Sequence, residues 1–250
     1  MFNILKKLVR LYQVISTKQI LNTPVNVLNS LKKKRLPDDV LSESRNKRFK
    51  VPIKTLLYLY DWLKFESITK MQDGRFVINS FLPPMPGKGY ERMFQNLLSG
   101  RKISPVSAYI AVTSKCNYNC WHCSYKNREQ DELSLDIISE TVDNLIDIGV
   151  SIIGLTGGEP TLRIDLVDIV AKIATNADSM LFTNGSGFDD QLALKLKQAG
   201  LWAVAVSLDS HLLEEHNKKR GDNSAYTKAI EAIKVAKRHS FYTMLTTVPD

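Results

Sequence analysis

From about residue 107 onward, short apolar runs alternate with amphipathic stretches, and this alternation restricts the possible folds more than any other feature. The apolar runs that predict strands are AYIAVT (108–113), IIGLTG (152–157), SMLFTN (179–184), AVAVSL (203–208) and FYTMLTT (241–247). The stretches that predict helices lie near 134–148, 163–175, 189–199 and 224–239. This order is typical of an α/β fold with a parallel sheet. Right-handed crossovers of this kind curl into a full or partial (β/α) TIM-like barrel, whose chemistry lies at the C-terminal strand ends.

Residues 1–100 carry no catalytic signature, and we predict a basic, mainly helical N-terminal region with a linker, followed by a core at 101–250. Amphipathic periodicity predicts helices at 4–15 and 53–66. The charged stretch at 32–50 indicates a linker or exposed loop. The segment at 76–90 contains three prolines and is expected to be an extended connector, because proline cannot continue a helix.

The basic charge is concentrated at the N-terminal end. The chain has a net charge of +8, and residues 1–60 hold 13 Lys and Arg against 3 Asp and Glu. A basic amphipathic helix can lie on a membrane surface, or it can pack on the rest of the protein. We find no apolar run of membrane-spanning length and no secretory signal. The chain also has no basic motif interleaved with aromatic residues, so we predict no nucleic-acid partner.

Three cysteines, Cys116, Cys120 and Cys123, fall within eight residues in TSKCNYNCWHC (113–123), directly after the first predicted strand. An odd, clustered set is not a disulfide framework and favours metal ligation in a reducing compartment, which predicts a cytoplasmic protein. Three thiolates can hold three irons of a [4Fe–4S] cubane and leave the fourth iron open. The competing interpretation is zinc, with His122 as a fourth ligand.

Small and polar residues follow the next three predicted strands. Glycines in such turns let the backbone approach a ligand closely, and small polar side chains suit a ribose. Capping of the turns and an exposed basic loop are the alternatives for the later positions. The candidates are Gly157, Gly158 and Glu159 in TGGEP, Asn184 in FTNG, Ser207 and Asp209 in VSLDS, and Arg220 in HNKKRGD.

The C-x3-C-x2-C spacing, together with TGGEPTL, FTNG and VSLDS, resembles the radical S-adenosylmethionine (SAM) enzymes over roughly residues 107–250. The resemblance implies that the three cysteines are the catalytic ligands of a [4Fe–4S] cluster whose open iron binds SAM. It implies that Gly157, Gly158 and Glu159 bind the SAM amino group.

The same resemblance places further residues near SAM. It implies contacts of Asn184, Ser207 and Asp209 with the ribose and methionine parts, and a pairing of Arg220 with the SAM carboxylate. Family members usually have an aromatic residue before the third cysteine, near the adenine, and His122 is a departure from that pattern.

The reaction implied is reductive cleavage of SAM to a 5′-deoxyadenosyl radical, which abstracts hydrogen from an unidentified peptide or small molecule. A flavodoxin or ferredoxin type of donor would supply the electron. The motif style is similar to the branch of peptide-modifying maturases and molybdenum-cofactor or heme-related enzymes.

Family barrels normally have a sixth strand, and only five strands are predicted here, so either the barrel is truncated after the fifth strand or another part of the chain closes it. The alternative functions are a truncated cluster-binding protein without turnover and a zinc-binding interaction protein. A zinc protein would be colourless, whereas an iron–sulfur protein is brown.

Overall fold

A computed structural model describes residues 68–98, 105–125 and 132–248. The chain divides into two compact units, Met1–Lys102 and Ile103–Asp250, and each is described by itself. The helices predicted at 4–15 and 53–66 and the linker at 32–50 lie outside the described residues. The assignment of two domains with these roles therefore stays a prediction.

The described part of the first unit is a small hairpin followed by a helix. Strands β1 (Thr69–Lys70) and β2 (Phe76–Val77) pair antiparallel, and Phe76 also bridges to Met85. Helix α1 spans Lys88–Leu98. The segment expected to be only an extended connector thus contributes a strand, a bridge and the first turn of a helix. The cause is a local apolar cluster of Ile68, Phe76, Met85 and Tyr90, which gives this segment something to pack against.

The second unit is built on one five-stranded sheet in which every neighbouring pair is parallel and the strands follow chain order. The strands are β3 (Ser107–Thr113), β4 (Ile152–Gly157), β5 (Asp178–Thr183), β6 (Leu201–Ser207) and β7 (Tyr242–Thr246). All five predicted strands are present, each shifted by no more than two residues at either end. This confirms the predicted α/β class with a partial TIM-like barrel.

Helices connect the strands. Capping residues explain where two of these helices begin and where one of them ends. The helices are α2 (Leu135–Ile148), α3 (Leu166–Ala174), α4 (Asp190–Gln198), α5 (Leu213–Arg220) and α6 (Ala225–Arg238). The side chains of Ser134 and Asp189 accept hydrogen bonds from the first turns of α2 and α4, and Gly149 ends α2 with a positive φ of 113°. Glycine adopts that backbone region without steric cost. The structure describes no helix that is both long and apolar enough to cross a membrane.

The main hydrophobic core lies between the sheet and the helices. Ile138, Val142 and Ile146 form one buried stripe on α2, at the i, i+4 spacing that places side chains on a single face. Strand β6 is buried along almost its whole length, as expected of a parallel strand that is covered on both faces. This packing fixes the strand ends, and the loops that leave them carry the site.

Helix α5 was not predicted from the sequence. Its residues, LEEHNKKR, contain almost no apolar side chains and so show no apolar stripe. The buried side chains of this helix are polar, namely His216, Asn217 and Arg220. Helix α5 is therefore held by hydrogen bonds and charge rather than by apolar packing.

Candidate functional site

Residues 114–125, which we call the cysteine segment, leave the end of β3 and run along the C-terminal edge of the sheet. The backbone N–H of Glu159 donates to the carbonyl of Lys115 at 2.8 Å, after β4. The Asn184 side chain, after β5, donates to that of Asn117 at 3.0 Å. The backbone N–H of Trp121 donates to the carbonyl of Lys219 at 3.3 Å, near the end of α5. The segment thus contacts the ends of successive strand–helix units.

Gly157 and Gly158 make the first of these contacts possible. Gly157 has a φ of +125°, and a Cβ atom built there would lie 2.3 Å from the carbonyl oxygen of Thr113. A Cβ at Gly158 would lie 2.1 Å from the carbonyl oxygen of Lys115. Both distances are far below van der Waals contact, and both neighbours are backbone atoms. These glycines therefore let the β4 loop lie against the base of the cysteine segment.

The three cysteines face one cavity of about 360 Å³ at this edge of the sheet. Cys116 is exposed, Cys123 is half-buried and Cys120 is buried. Although Cys116 is exposed as a residue, partial desolvation of its thiol raises the pKa. Burial also raises the pKa of Cys120, and the Arg220 guanidinium acts against that effect by favouring the thiolate. The same cavity is lined by Gly157, Gly158, Glu159, Asn184, Ser207, Arg220 and His122.

Glu159 is buried and its carboxylate is fixed by four neutral donors. Its Oε1 atom accepts from the Thr161 backbone N–H and hydroxyl and from the Thr183 hydroxyl, at 3.1, 2.7 and 2.6 Å. Its Oε2 atom accepts from the backbone N–H of Asn184 at 2.7 Å. A carboxylate oxygen has room for a further donor beyond a single one. The Oε2 atom is thus the one placed to accept from a cationic group in the cavity.

Asn184 links the end of β5 to the cysteine segment. Its side-chain amide donates to Asn117, and its Oδ1 atom accepts from the backbone N–H of Ser186 at 2.8 Å. The Asn117 amide in turn donates to the Ser186 hydroxyl at 2.9 Å. These bonds hold the backbone of a turn and the cysteine segment together, while Asn184 still lines the cavity.

Asp209 and Arg220 form a buried ion pair between the end of β6 and the end of α5. The Arg220 Nη2 atom donates to Asp209 Oδ1 at 2.8 Å, and Nε lies 2.7 Å from Oδ2. The Asp209 backbone N–H donates to the His216 ring at 3.1 Å. Ser207 lines the cavity and lies 3.4 Å from the Thr246 hydroxyl. Asp209, unlike Ser207 and Arg220, lies behind the cavity wall.

His122 lies between the second and third cysteines with its Nε2 atom 3.9 Å from Asp209 Oδ2. Burial lowers the pKa of His122, so the neutral ring is favoured at neutral pH. The Nδ1 atom is buried and has no hydrogen-bond partner among the described residues. Buried polar atoms are nearly always hydrogen-bonded, and His122 lines the cavity, so this nitrogen is a candidate for a contact with a ligand.

Arg163 is a buried residue behind the cavity that supports the cysteine segment, and it was not singled out from the sequence. Its Nη1 atom donates to the carbonyl of Val112 at 2.5 Å and its Nη2 atom to the carbonyl of Leu133 at 2.9 Å. Asp165 holds the guanidinium through Nε at 2.5 Å and Nη2 at 3.0 Å. One side chain therefore joins the two ends of the stretch that contains the cysteine segment. The only sequence signal was an arginine and an aspartate two residues apart after TGGEP.

The donor set fits a cubane cluster and its small-molecule ligand. The chain has three cysteines and no fourth, all three line one cavity, and a carboxylate and an unpartnered imidazole nitrogen share that cavity. In a cubane each thiolate binds a different iron. Within 68–98, 105–125 and 132–248, no three His, Cys, Asp or Glu side chains are close enough together to share a single metal ion, as a zinc site would require.

These features define a class of protein: a partial (β/α) barrel with a thiol-lined cavity at its strand ends. The family model described as the radical SAM superfamily matches residues 110–249, more than half of the chain, so the chain belongs to that superfamily. Members of this superfamily use a [4Fe–4S] cluster and SAM.

The relatives by sequence include enzymes of tetrapyrrole and nucleotide chemistry. An Fe-coproporphyrin III synthase from Methanosarcina barkeri is 31% identical over 151 residues, which are 59% of this chain and 38% of that protein. A GTP 3′,8-cyclase from Desulforamulus reducens is 42% identical over 109 residues, 40% of this chain and 33% of that protein. The chain thus spans well under half of the length of these relatives.

A solved structure of similar fold is Streptococcus suis SuiB bound to the precursor peptide SuiA. It has a TM-score of 0.53 and 17% sequence identity, and the match covers 63% of this chain and 36% of that chain. At this level of identity the similarity concerns the fold, and it confirms the partial TIM-like barrel.

Proposed function

We propose that this chain cleaves SAM reductively and uses the resulting radical to abstract a hydrogen atom from a peptide or a small molecule. The observation that carries the proposal is the cavity of about 360 Å³, which brings the three cysteines together with Glu159 and its two preceding glycines. When bound, the [4Fe–4S] cluster supplies the electron that cleaves SAM, and SAM supplies the 5′-deoxyadenosyl radical.

The residues of the chain bind the cluster and SAM, orient them and shield them from solvent. Cys116, Cys120 and Cys123 hold the cluster as thiolates. Glu159 accepts a hydrogen bond from the SAM amino group through Oε2, because its other oxygen already accepts three. His122, through its free Nδ1 atom, contacts the adenine.

The remaining cavity residues complete the binding of SAM. Ser207 and Asn184 contact the ribose from the ends of β6 and β5. Arg220 reaches the SAM carboxylate with the N–H groups that Asp209 does not engage, and Asp209 acts by holding Arg220 in place.

The substrate is a peptide or a small molecule, with an electron donor of the flavodoxin or ferredoxin type as partner. Relatives named for coproporphyrin and GTP chemistry favour a small molecule, and the similarity to a peptide-bound barrel favours a peptide. We also propose a cytoplasmic location, with the basic helix predicted at 4–15 as a point of contact with a membrane surface.

The test is anaerobic turnover of SAM. The protein is reconstituted with iron and sulfide, reduced with dithionite and incubated with SAM, and 5′-deoxyadenosine is quantified. We expect a brown protein that forms 5′-deoxyadenosine, and loss of product by at least a hundredfold in Cys120→Ala. Lys195→Ala, a surface change on α4, serves as the control with wild-type yield. A colourless protein that binds zinc and forms no product would refute the proposal.

A further inference from the structure

Arg220 contacts two groups at once, a buried carboxylate and a thiol. Its Nη2 and Nε atoms engage Asp209, whose side chain is 0% exposed, while the Arg220 side chain is 10% exposed. Its third nitrogen, Nη1, lies 3.9 Å from the Sγ atom of Cys120 and donates a long hydrogen bond to it. Two guanidinium nitrogens therefore donate hydrogen bonds to the protein, and the third, Nε, lies within ion-pair distance of Asp209.

The ion pair fixes the position of the positive charge relative to the thiol. A guanidinium is planar and presents its donors in a rigid fork, so two contacts to one carboxylate also set the direction of Nη1. The Asp209 carboxylate is itself anchored, since Oδ1 accepts from the backbone N–H of Val248 at 3.2 Å. The charge next to Sγ is thus held by two strand ends rather than by a free side chain.

Of the two opposite charges near Cys120, the positive charge of Arg220 lies closer to the sulfur than the negative charge of Asp209. Arg220 touches Sγ, whereas Asp209 lies on the far side of the guanidinium. In a poorly hydrated site, the nearer charge has the larger effect on the electron density of a thiolate.

We propose that Arg220 is a positioning residue that raises the reduction potential of the cluster through Cys120, and that Asp209 limits this effect. The inference rests on the proposed function, because it takes Cys120 as a cluster ligand. Hydrogen bonds to ligand sulfurs and local charge are the means by which a protein shifts such potentials. This role is separate from any contact of Arg220 with SAM, since it operates without SAM.

The test measures the midpoint potential of the reconstituted cluster without SAM, by EPR-monitored redox titration, in wild type, Arg220→Gln, Arg220→Lys and Asp209→Asn. At a fixed poise we expect Arg220→Gln to lower the ratio of reduced to oxidised cluster tenfold, which is a midpoint 59 mV more negative for a one-electron couple. Asp209→Asn should raise that ratio, and Arg220→Lys should stay near wild type. Arg238→Gln, which breaks the exposed pair with Asp190, is the control without a shift.

Opposite signs of the two midpoint-potential shifts would distinguish an electrostatic role of Arg220 from a structural one. Both Arg220→Gln and Asp209→Asn break the same ion pair, so a purely structural role predicts shifts in the same direction. Shifts of the same sign, or an unchanged potential in Arg220→Gln, would overturn the inference. Failure of both Arg220 variants to take up iron would also overturn it. If Arg220→Gln alone takes up no iron, the Asp209→Asn variant decides: a more positive potential supports the inference, and an unchanged or more negative one overturns it. A wild-type protein without a cluster would overturn the proposed function as well.

Discussion

Gly158 shows how a single missing side chain supports the site. A methyl group at this position would overlap the carbonyl oxygen of Lys115, which belongs to the backbone and has no alternative rotamer. We expect Gly158→Ala to lower the free energy of unfolding by about 1–3 kcal/mol, the usual cost of overpacking. We also expect it to reduce iron uptake, because the base of the cysteine segment has to move. Urea unfolding and iron content measure the two effects.

Gly74 provides the control for that change. It has a positive φ of 85°, but a Cβ atom there would have no neighbour within 4 Å. Gly74→Ala should cost about 1 kcal/mol of backbone strain and leave iron uptake unchanged. Equal iron uptake in the Gly158 and Gly74 variants would contradict the role assigned to Gly158.

The predicted site residues other than Asp209 line one cavity, but the contacts that they make with one another were not predicted. The glycines after β4 were expected to admit a ligand, and the close approach they permit in the structure is to the backbone of the cysteine segment. The pairing of Asp209 with Arg220 joins residues from a strand end and a helix end. No local pattern reports a contact of that kind, because it depends on how α5 packs.

At the scale of elements, Arg163 joins the two ends of the stretch that carries the cysteines. Removal of its guanidinium leaves the carbonyls of Val112 and Leu133 without this donor. Each buried acceptor that loses its partner costs about 1–3 kcal/mol. We expect Arg163→Met to lower stability by that order and to speed tryptic cleavage between Thr113 and Glu132. The exposed Arg238→Met should change neither quantity, and equal cleavage rates in the two variants would count against the clamp.

In the second unit, helices with an apolar period were predicted well, and the helix without one was not. The four helices predicted there begin and end within three residues of the observed ones. In the first unit, helix α1 was missed although it is amphipathic, because the prolines before it indicated an extended connector. The largest shift is at α3, whose start is delayed to Leu166 because Pro160–Leu162 forms a short 3-10 turn and Arg163 bonds outward. Helix α5 was missed because its buried face is made of His216, Asn217 and Arg220.

At the scale of the whole molecule, the buried His216 should make stability depend on pH. Its ring nitrogen Nδ1 accepts from the Asp209 backbone, and burial lowers the pKa of this histidine below its ordinary value of 6.5. Below pH 6.5 the unfolded chain then binds a proton that the folded chain does not, so stability falls as the pH is lowered. Above pH 6.5 both states are neutral and the effect is absent.

Urea unfolding of the cluster-free protein at pH 7 and pH 5 measures this dependence. We expect His216→Gln to lose less stability between these values than wild type, by at most about 1.4 kcal/mol per pH unit for one proton. Glutamine keeps an acceptor for the Asp209 N–H. His211→Gln, at an exposed position, should retain the wild-type slope. An unchanged slope in His216→Gln would show that other groups cause the dependence.

The path of the cysteine segment across the sheet also bears on its length. Its contacts at Lys115, Asn117 and Trp121 fall after β4, β5 and β6 in turn. Neighbouring strands are about 4.8 Å apart, and a chain advances at most about 3.6 Å per residue. The six residue steps from Lys115 to Trp121 could span about 22 Å, whereas two strand spacings amount to only about 10 Å, so the segment is longer than a direct crossing of the sheet requires. The interval between the cysteines is therefore set by a loop that surrounds a cavity large enough for an iron–sulfur cube, and not by the width of the sheet alone.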